Sequence, residues 1–212
     1  MSFSSERGYY DTFFQLSLTA SDPNAIIRYT VDGSAPGPNH GLVYNNPLLI
    51  GTTTCIRAYA STADTFSTVK THTYLFLNDV VNQSNSIASQ PQSGLEFDAS
   101  LKNDPIYGAQ LMEGLVQIPS VSLVLDPADL SNVYTSTDRN LEVPVSMEVM
   151  YPDGKTGFQE NAGMKRVGGS SYNSIKRNWR LVFRNVYGAS KLNYPIFGDD
   201  GADEHDQIAL RP

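Results

Sequence analysis

Short alternating runs of apolar and polar residues, punctuated by Gly, Pro and Asn, fill the first 76 positions of the chain. The turn signals recur roughly every eight to twelve residues, the cadence of an antiparallel β-sandwich. Four strands are predicted: Phe14 to Thr19, Ile26 to Val31, Thr53 to Ala60 and Val69 to Phe76. In the second, Ile27, Tyr29 and Val31 share the face directed at a core, and Arg28 and Thr30 take the other. Asp32-Gly33-Ser34 follows as a tight turn, because Gly accepts positive φ and an Asp side chain can bond its own backbone.

From Leu77 to Lys102 the pattern dissolves into Asn, Ser, Gln and Pro. The run NQSNSIASQPQSG offers nothing to anchor a core and reads as a linker. Asp104-Pro105 then supplies an N-cap and a proline at the first helical position. Tyr107, Leu111 and Leu115 recur at every fourth residue until Pro119, which predicts one short amphipathic helix. A strand from Val121 to Leu125 ends at Asp126-Pro127, which caps a brief helical turn through Leu130. A hairpin follows: Pro144 to Met150 with Val145, Met147 and Val149 inward, the turn Tyr151-Pro152-Asp153-Gly154, and a return from Gly157 to Met164. Strands Trp179 to Arg184 and Gln207 to Leu210 complete the pattern, with no internal repeat or heptad.

Composition narrows the function classes. The 212 residues are 40% hydrophobic and 17% charged, the balance of a chain that folds. A net charge of −7 opposes general nucleic-acid binding, which needs a basic surface to displace counterions from phosphates. No apolar run approaches the roughly 20 residues of a membrane span, and MSFSSERGYY lacks the basic-then-apolar order of a signal peptide. Cys55 is the only cysteine, which excludes an internal disulfide and a cysteine zinc site. It sits mid-strand, where a buried, inert thiol is expected.

Charge is unevenly placed. Residues 161–198 hold Lys165, Arg166, Lys176, Arg177, Arg180, Arg184 and Lys191 and no acid, +7 within a chain whose total is −7. Inside this segment lies Gly168-Gly169-Ser170-Ser171, whose backbone amides and hydroxyls suit an oxyanion such as phosphate, with Lys176 close behind. The order is no Walker A motif, and a hairpin loop with solvated lysines accounts for the same residues. Next come Asp199, Asp200, Asp203, Glu204 and Asp206 around His205. They suit calcium without matching EF-hand spacing, or form a solvated acidic loop paired with the neighbouring basic face. His40, His72 and His205 form no metal motif and read as surface or turn residues. No G-x-S-x-G elbow exists, so hydrolase chemistry has no visible centre. Tyr9, Tyr10, Phe13 and Phe14 are either a platform for stacking on sugar rings or core aromatics.

Two stretches resemble known families. Tyr29-Thr30-x-Asp32-Gly33-Ser34-x-Pro36 and Thr53-Thr54-x-Ile56-Arg57-Ala58, followed by THTYLF, resemble the chitobiase/β-hexosaminidase C-terminal type module over about residues 6–76. That resemblance implies a small immunoglobulin-like β-sandwich appended to larger extracellular proteins, without catalytic residues of its own. The segments IPSVSLVLDPADL, VPVSMEVMYPDG, GFQENAGMKRVGGSSYNSIKRNWRLVFRNVYGASKLNYPIFGDD and DQIALRP are similar to the beginning of the spore-coat protein H (CotH) kinase family, over residues 118–212. The second resemblance implies a secreted or surface bacterial protein with an atypical phosphotransferase domain using ATP and Mg2+ or Mn2+. On it, Gly168, Gly169, Ser170 and Ser171 form the turn over the nucleotide phosphates. Lys176 and Arg177 match the basic pair before the strand Trp179 to Phe183, with Lys176 neutralising phosphate charge. It assigns no catalytic or metal residue here, since the family's carboxylates lie past the position matching Pro212 and the acids at 199–206 come too early. Where the family reads Arg-Ile-Arg-Gly-Gly, this chain has Lys165-Arg166-Val167. A charge thus replaces an apolar residue on one strand face, which requires a bulge or a changed environment.

The expected fold class is mainly β: an immunoglobulin-like antiparallel sandwich at 6–76, a linker with one short helix at 77–117, and a β-rich partial kinase-like (α+β) N-lobe at 118–212. The expected function is part of a secreted or surface CotH-like kinase, inactive by itself and completed by a missing C-terminal kinase portion. The alternative is a non-catalytic extracellular binding or spacer protein whose sandwich engages glycan or a protein partner. If residues 118–212 are half a lobe, Trp179, Leu181 and Phe183 lack a covering surface and invite aggregation.

Overall fold

The computed structural model describes residues 1–84, 86–87, 90–91, 96–155 and 157–211. The chain is mainly β, with 37% strand and 15% helix. It divides into two compact units: residues 1–84, 96–122 and 148–157 form unit 1, and residues 85–95, 123–147 and 158–212 form unit 2.

Unit 1 begins with β1 (Ser2–Phe3), β2 (Gly8–Tyr10), β3 (Phe14–Leu16) and β4 (Leu18–Thr19). It continues through β5 (Ile26–Thr30), β6 (Leu42–Val43), β7 (Leu48–Ile50), β8 (Thr54–Ser61), β9 (Lys70–Phe76) and α1 (Leu77–Val81). One sheet has the order β2-β9-β8-β5-β6, and β3-β7 and β1-β4 form two short pairs. The ladders are antiparallel except that of β2 with β9, which is parallel, so the expected all-antiparallel sandwich has one parallel edge. Residues two apart on a strand share a face, and the core follows from that. Ile56, Ala58 and Ala60 of β8, Ile27 of β5, and Tyr74 and Phe76 of β9 pack with Leu16, Leu18 and Ile50.

The inward trio predicted for the second strand ends early. β5 stops at Thr30, whose buried hydroxyl donates to Ser34 O at 2.6 Å, and Val31 is 56% exposed. The turn supplies the reason. Asp32 Oδ1 accepts from Ser34 N at 3.0 Å and from Ser34 Oγ at 2.6 Å, and Gly33 takes φ +88°, so the chain reverses before Val31 can point inward.

Part of the predicted linker, residues 85, 88–89 and 92–95, lies outside the described residues. Flanking pieces form β10 (Ser86–Ile87) paired with β11 (Gln90–Pro91), followed by α2 (Ala99–Lys102) and α3 (Tyr107–Leu115). The helix begins at Tyr107 with Ile106 as its N-cap, two positions later than predicted; Asp104 Oδ1 accepts from Ile106 N at 2.8 Å and Tyr107 N at 3.0 Å and closes the turn that leads into it.

The remaining elements are β12 (Ser120–Val124), α4 (Pro127–Thr135), β13 (Val143–Met150), β14 (Phe158–Val167), β15 (Asn178–Val182), β16 (Leu192–Asn193), β17 (Glu204–His205) and β18 (Gln207–Leu210). Five of them form a sheet of order β12-β13-β14-β15-β18, and β16 pairs with β17. Residues 120–122 and 148–150 of its first two strands belong to unit 1. Asp126 Oδ1 accepts from Ala128 N at 2.8 Å and caps α4. The helix runs past the predicted end at Leu130 because Val133 and Tyr134 bury their side chains, and packing sustains a short helix that propensity alone would not. In β13 every side chain from Val145 to Met150 is buried, so the predicted alternation fails at Ser146 and Glu148. Leu181 and Phe183 are buried and do not present the open apolar face anticipated for them. Among the described residues no helix is long and apolar enough to cross a membrane.

Candidate functional site

Strands β14 and β15 pair without interruption from Gly163↔Val182 to Val167↔Asn178, so the connection between them carries Gly168, Gly169, Ser170, Ser171, Lys176 and Arg177 together. Gly168 takes φ +132°, and a Cβ there would stand 2.8 Å from Ser171 Oγ, so this position demands glycine. Gly169 faces open space. A 3-10 turn spans Ser170–Asn173, with Tyr172 N donating to Gly169 O at 3.2 Å. Ser171 Oγ accepts from Asn178 Nδ2 at 2.8 Å, which ties the loop to the start of β15.

The two predicted cations part company. Lys176 is exposed and makes no hydrogen bond or ion pair among the described residues. Arg177 turns inward: Nη1 donates to Tyr172 O at 3.3 Å and to Ser174 O, and its guanidinium lies 4.6 Å from the centre of the Tyr134 ring. Arg177 braces the loop, and Lys176 extends from it into solvent.

Sequence reasoning missed Arg139 and the aromatic rings that receive the guanidiniums, and named Arg166 without placing it at the loop. Arg139, between α4 and β13, donates from Nη1 to Gly168 O at 2.9 Å and stacks 4.3 Å over Tyr172. Arg166 of β14 is 5% exposed, lies 3.9 Å over the same ring, and donates to Tyr134 O and to Asn173 Oδ1, the latter at 3.4 Å. Burial, with Arg177 nearby, pulls Arg166 below the ordinary arginine range. No carboxylate pairs with Arg139, Arg166 or Arg177 among the described residues. Aromatic faces and carbonyl oxygens hold these guanidiniums instead.

This geometry also accounts for the order Lys165-Arg166-Val167. The ladder through it is regular, so the strand carries no bulge there. Instead the surroundings suit the charge, because a ring, a carbonyl and an amide oxygen receive what an apolar face would reject. Arg139 carried no signal in the sequence, since it lies 29 positions from its partner Gly168 and outside the cationic segment.

The acidic loop after β16 is exposed, and Lys191 Nζ pairs with Glu204 Oε2 at 3.0 Å. No group of three or more His, Cys, Asp or Glu converges as a metal site among the described residues.

Residues 5–72 match the family of the chitobiase/β-hexosaminidase C-terminal domain. No curated protein and no solved structure matches the chain. The N-terminal aromatics of the matched stretch do not make an open platform. Tyr10 stacks on Phe14 at 4.4 Å, both rings meet Tyr74 edge-on, and Tyr9 Oη donates to Ser120 Oγ at 2.9 Å. Only Phe13 of the four is largely exposed, at 74%.

His72 of the module is neither a surface nor a turn residue. It is buried, stacked on Phe3 at 4.0 Å, and accepts from Arg7 Nη2 at 3.1 Å. Burial, helped by Arg7, pushes it down to about 3, so the imidazole is neutral. His40 does lie in a turn, with Nε2 2.8 Å from Ser34 Oγ. Arg7 also faces Glu148 of β13, Nη1 to Oε1 at 3.4 Å. Glu148 is fully buried and accepts from Thr73 N at 3.2 Å and Thr73 Oγ1 at 2.5 Å. Burial outweighs these partners and raises its carboxyl to about 7. Half-buried Cys55 is pushed up to about 12, first by desolvation and then by Glu148, which leaves an unreactive thiol.

Proposed function

We propose that the chain joins an accessory β-sandwich to the nucleotide-phosphate-binding part of a CotH-like kinase domain, within a secreted or surface bacterial protein. In domain terms, the sandwich covers residues 6–76, a helical linker 77–117, and the kinase-like part 118–212. The observation that carries this reading is the loop 168–177. It combines a strained glycine, a 3-10 turn and a free Lys176, braced by three guanidiniums that no carboxylate neutralises among the described residues. Lys165 and Arg180, directly opposite each other across β14 and β15, add to the excess of positive charge. An incoming phosphate would meet the Lys176 ammonium and the amides around Gly169, with Mg2+ or Mn2+ accompanying the nucleotide. Titration of the whole chain with ATP and Mg2+ in a calorimeter tests this. Weak, magnesium-dependent binding that disappears in Lys176→Ala is expected, and equal affinity in the variant overturns the site.

The second reading is a non-catalytic surface-binding protein, favoured by the chitobiase-type match at residues 5–72. Its test is a glycan array probed with the whole chain: retention of a polysaccharide supports it, and a clean negative leaves the module as a spacer.

A further inference from the structure

Unit 1 contains a cleft of about 510 Å3, inside the range of roughly 300–1,000 Å3 usual for small-molecule sites. Its walls are apolar: Leu75 of β9, Leu77 and Val80 of α1, Leu115 of α3, Val121 of β12 and Met150 of β13. Its hydroxyls are already engaged, Thr53 Oγ1 with the backbone of Phe76 and the others with one another. Tyr9 Oη donates to Ser120 Oγ, and Thr73 Oγ1 stands 2.9 Å from Ser122 Oγ. Thr73 in turn gives its own proton to Glu148 Oε2 at 2.5 Å. The wall therefore asks few hydrogen bonds of a ligand and favours an apolar body.

Two further polar side chains, Gln83 and Asp79, border the cleft, and Asp79 is the acidic one. Half-buried at the same cleft, it accepts one hydrogen bond, from Thr53 N to Oδ2 at 2.6 Å. No cation pairs with it among the described residues, and its Oδ1 is unengaged. A carboxylate bordered by apolar side chains attracts a cation more strongly than one in open water, and it repels anions.

We infer that this cleft binds an amphipathic organic cation, an amine carried on a compact apolar body. The ammonium pairs with Asp79 Oδ1, and the body lies along Leu77, Leu115 and Met150. The site shares no residue with the loop of unit 2 and stands or falls apart from the phosphate reading.

The test uses the whole chain and three probes, tryptamine, hexylamine and hexanol, followed by calorimetry and ligand-observed NMR. Both amines are expected to bind saturably, with hexanol roughly tenfold weaker than hexylamine, the fold-change of one lost charge-assisted hydrogen bond. Asp79→Asn keeps the acceptor for Thr53 N and is expected to weaken amine binding by a similar factor. Val121→Trp fills the cleft from a half-exposed position and is expected to abolish binding. An absence of saturable amine binding overturns the proposal. So does equal affinity for hexanol and hexylamine, or amine binding that survives either substitution unchanged.

Discussion

In unit 1 the most deeply buried charged side chain is a carboxylate, Glu148, surrounded by Arg7 and both donors of Thr73. In unit 2 it is a guanidinium, Arg166, resting on the Tyr172 ring and bonded to a carbonyl and an amide oxygen. The first arrangement pairs ion with ion and leaves nothing for a ligand. The second pairs an ion with partial charges only, so the geometry of the guanidinium is fixed while its net positive charge remains. Together with Arg139, Arg177 and the free Lys176, it leaves a local excess of positive charge that, on the proposed reading, an incoming anion would meet. A basic cluster without acids is thus a different object from a buried ion pair, although both are well ordered.

Breaking the unit 1 pair has the largest expected effect. Arg7→Met strands the Glu148 carboxylate and should cost unit 1 roughly 3 kcal/mol at pH 8, the usual scale for a buried charge left alone. Denaturant unfolding followed by labelling of Cys55 measures it. The loss should shrink at pH 5, where Glu148 holds its proton.

The wild-type pH profile sharpens the same point. Folding raises Glu148 from 4.5 to about 7, so the folded state binds the proton more tightly. The resulting stabilisation is fully present below pH 4.5 and is lost as pH rises through about 7. It amounts to something on the order of 3 kcal/mol. Glu148→Gln should remove this slope, and an unchanged slope between pH 5 and 8 would place the titrating group elsewhere.

In unit 2 the effects are smaller and fall on binding. Gly168→Ala puts a side chain into a positive-φ position beside Ser171 and should cost about 1–2 kcal/mol. The readout is Trp179 fluorescence during unfolding, and ATP affinity should fall as well. Lys176→Ala should leave unfolding within about 0.5 kcal/mol of wild type, as expected for an exposed side chain without partners. A large stability loss there would make Lys176 structural and erase the contrast between the units.

Much of the strand pattern was legible because its cause is local. β8, β9, β18 and α3 lie close to their predicted positions, where alternation or a four-residue repeat meets a turn or cap signal. β13 was misread for a non-local reason: Ser146 and Glu148 look like a wet face until Thr73 and Arg7, from far earlier in the chain, are brought against Glu148. The site was half legible. Its glycines, Tyr172 and Lys176 lie within one short stretch of sequence, whereas Arg139 and Tyr134 reach it only through strand pairing and a helix, and nothing in their local sequence distinguishes them. His72 looked incidental for the same reason, since its partners are Phe3 and Arg7 at the opposite end of the module.

The parallel pairing of β2 with β9 bears on how such a module can be inherited. The family match stops at residue 72, inside β9, two positions before the fully buried Tyr74. A gene rearrangement that moved only the recognisable stretch would leave Tyr10 and Phe14 without the ring they pack on, and β2 without its neighbour. It would also carry off Arg7 and leave Glu148 behind. Transfer as a working unit requires all of β9 and either a new acid to meet Arg7 or a simultaneous loss of that arginine. The heritable segment is therefore longer than the recognisable one.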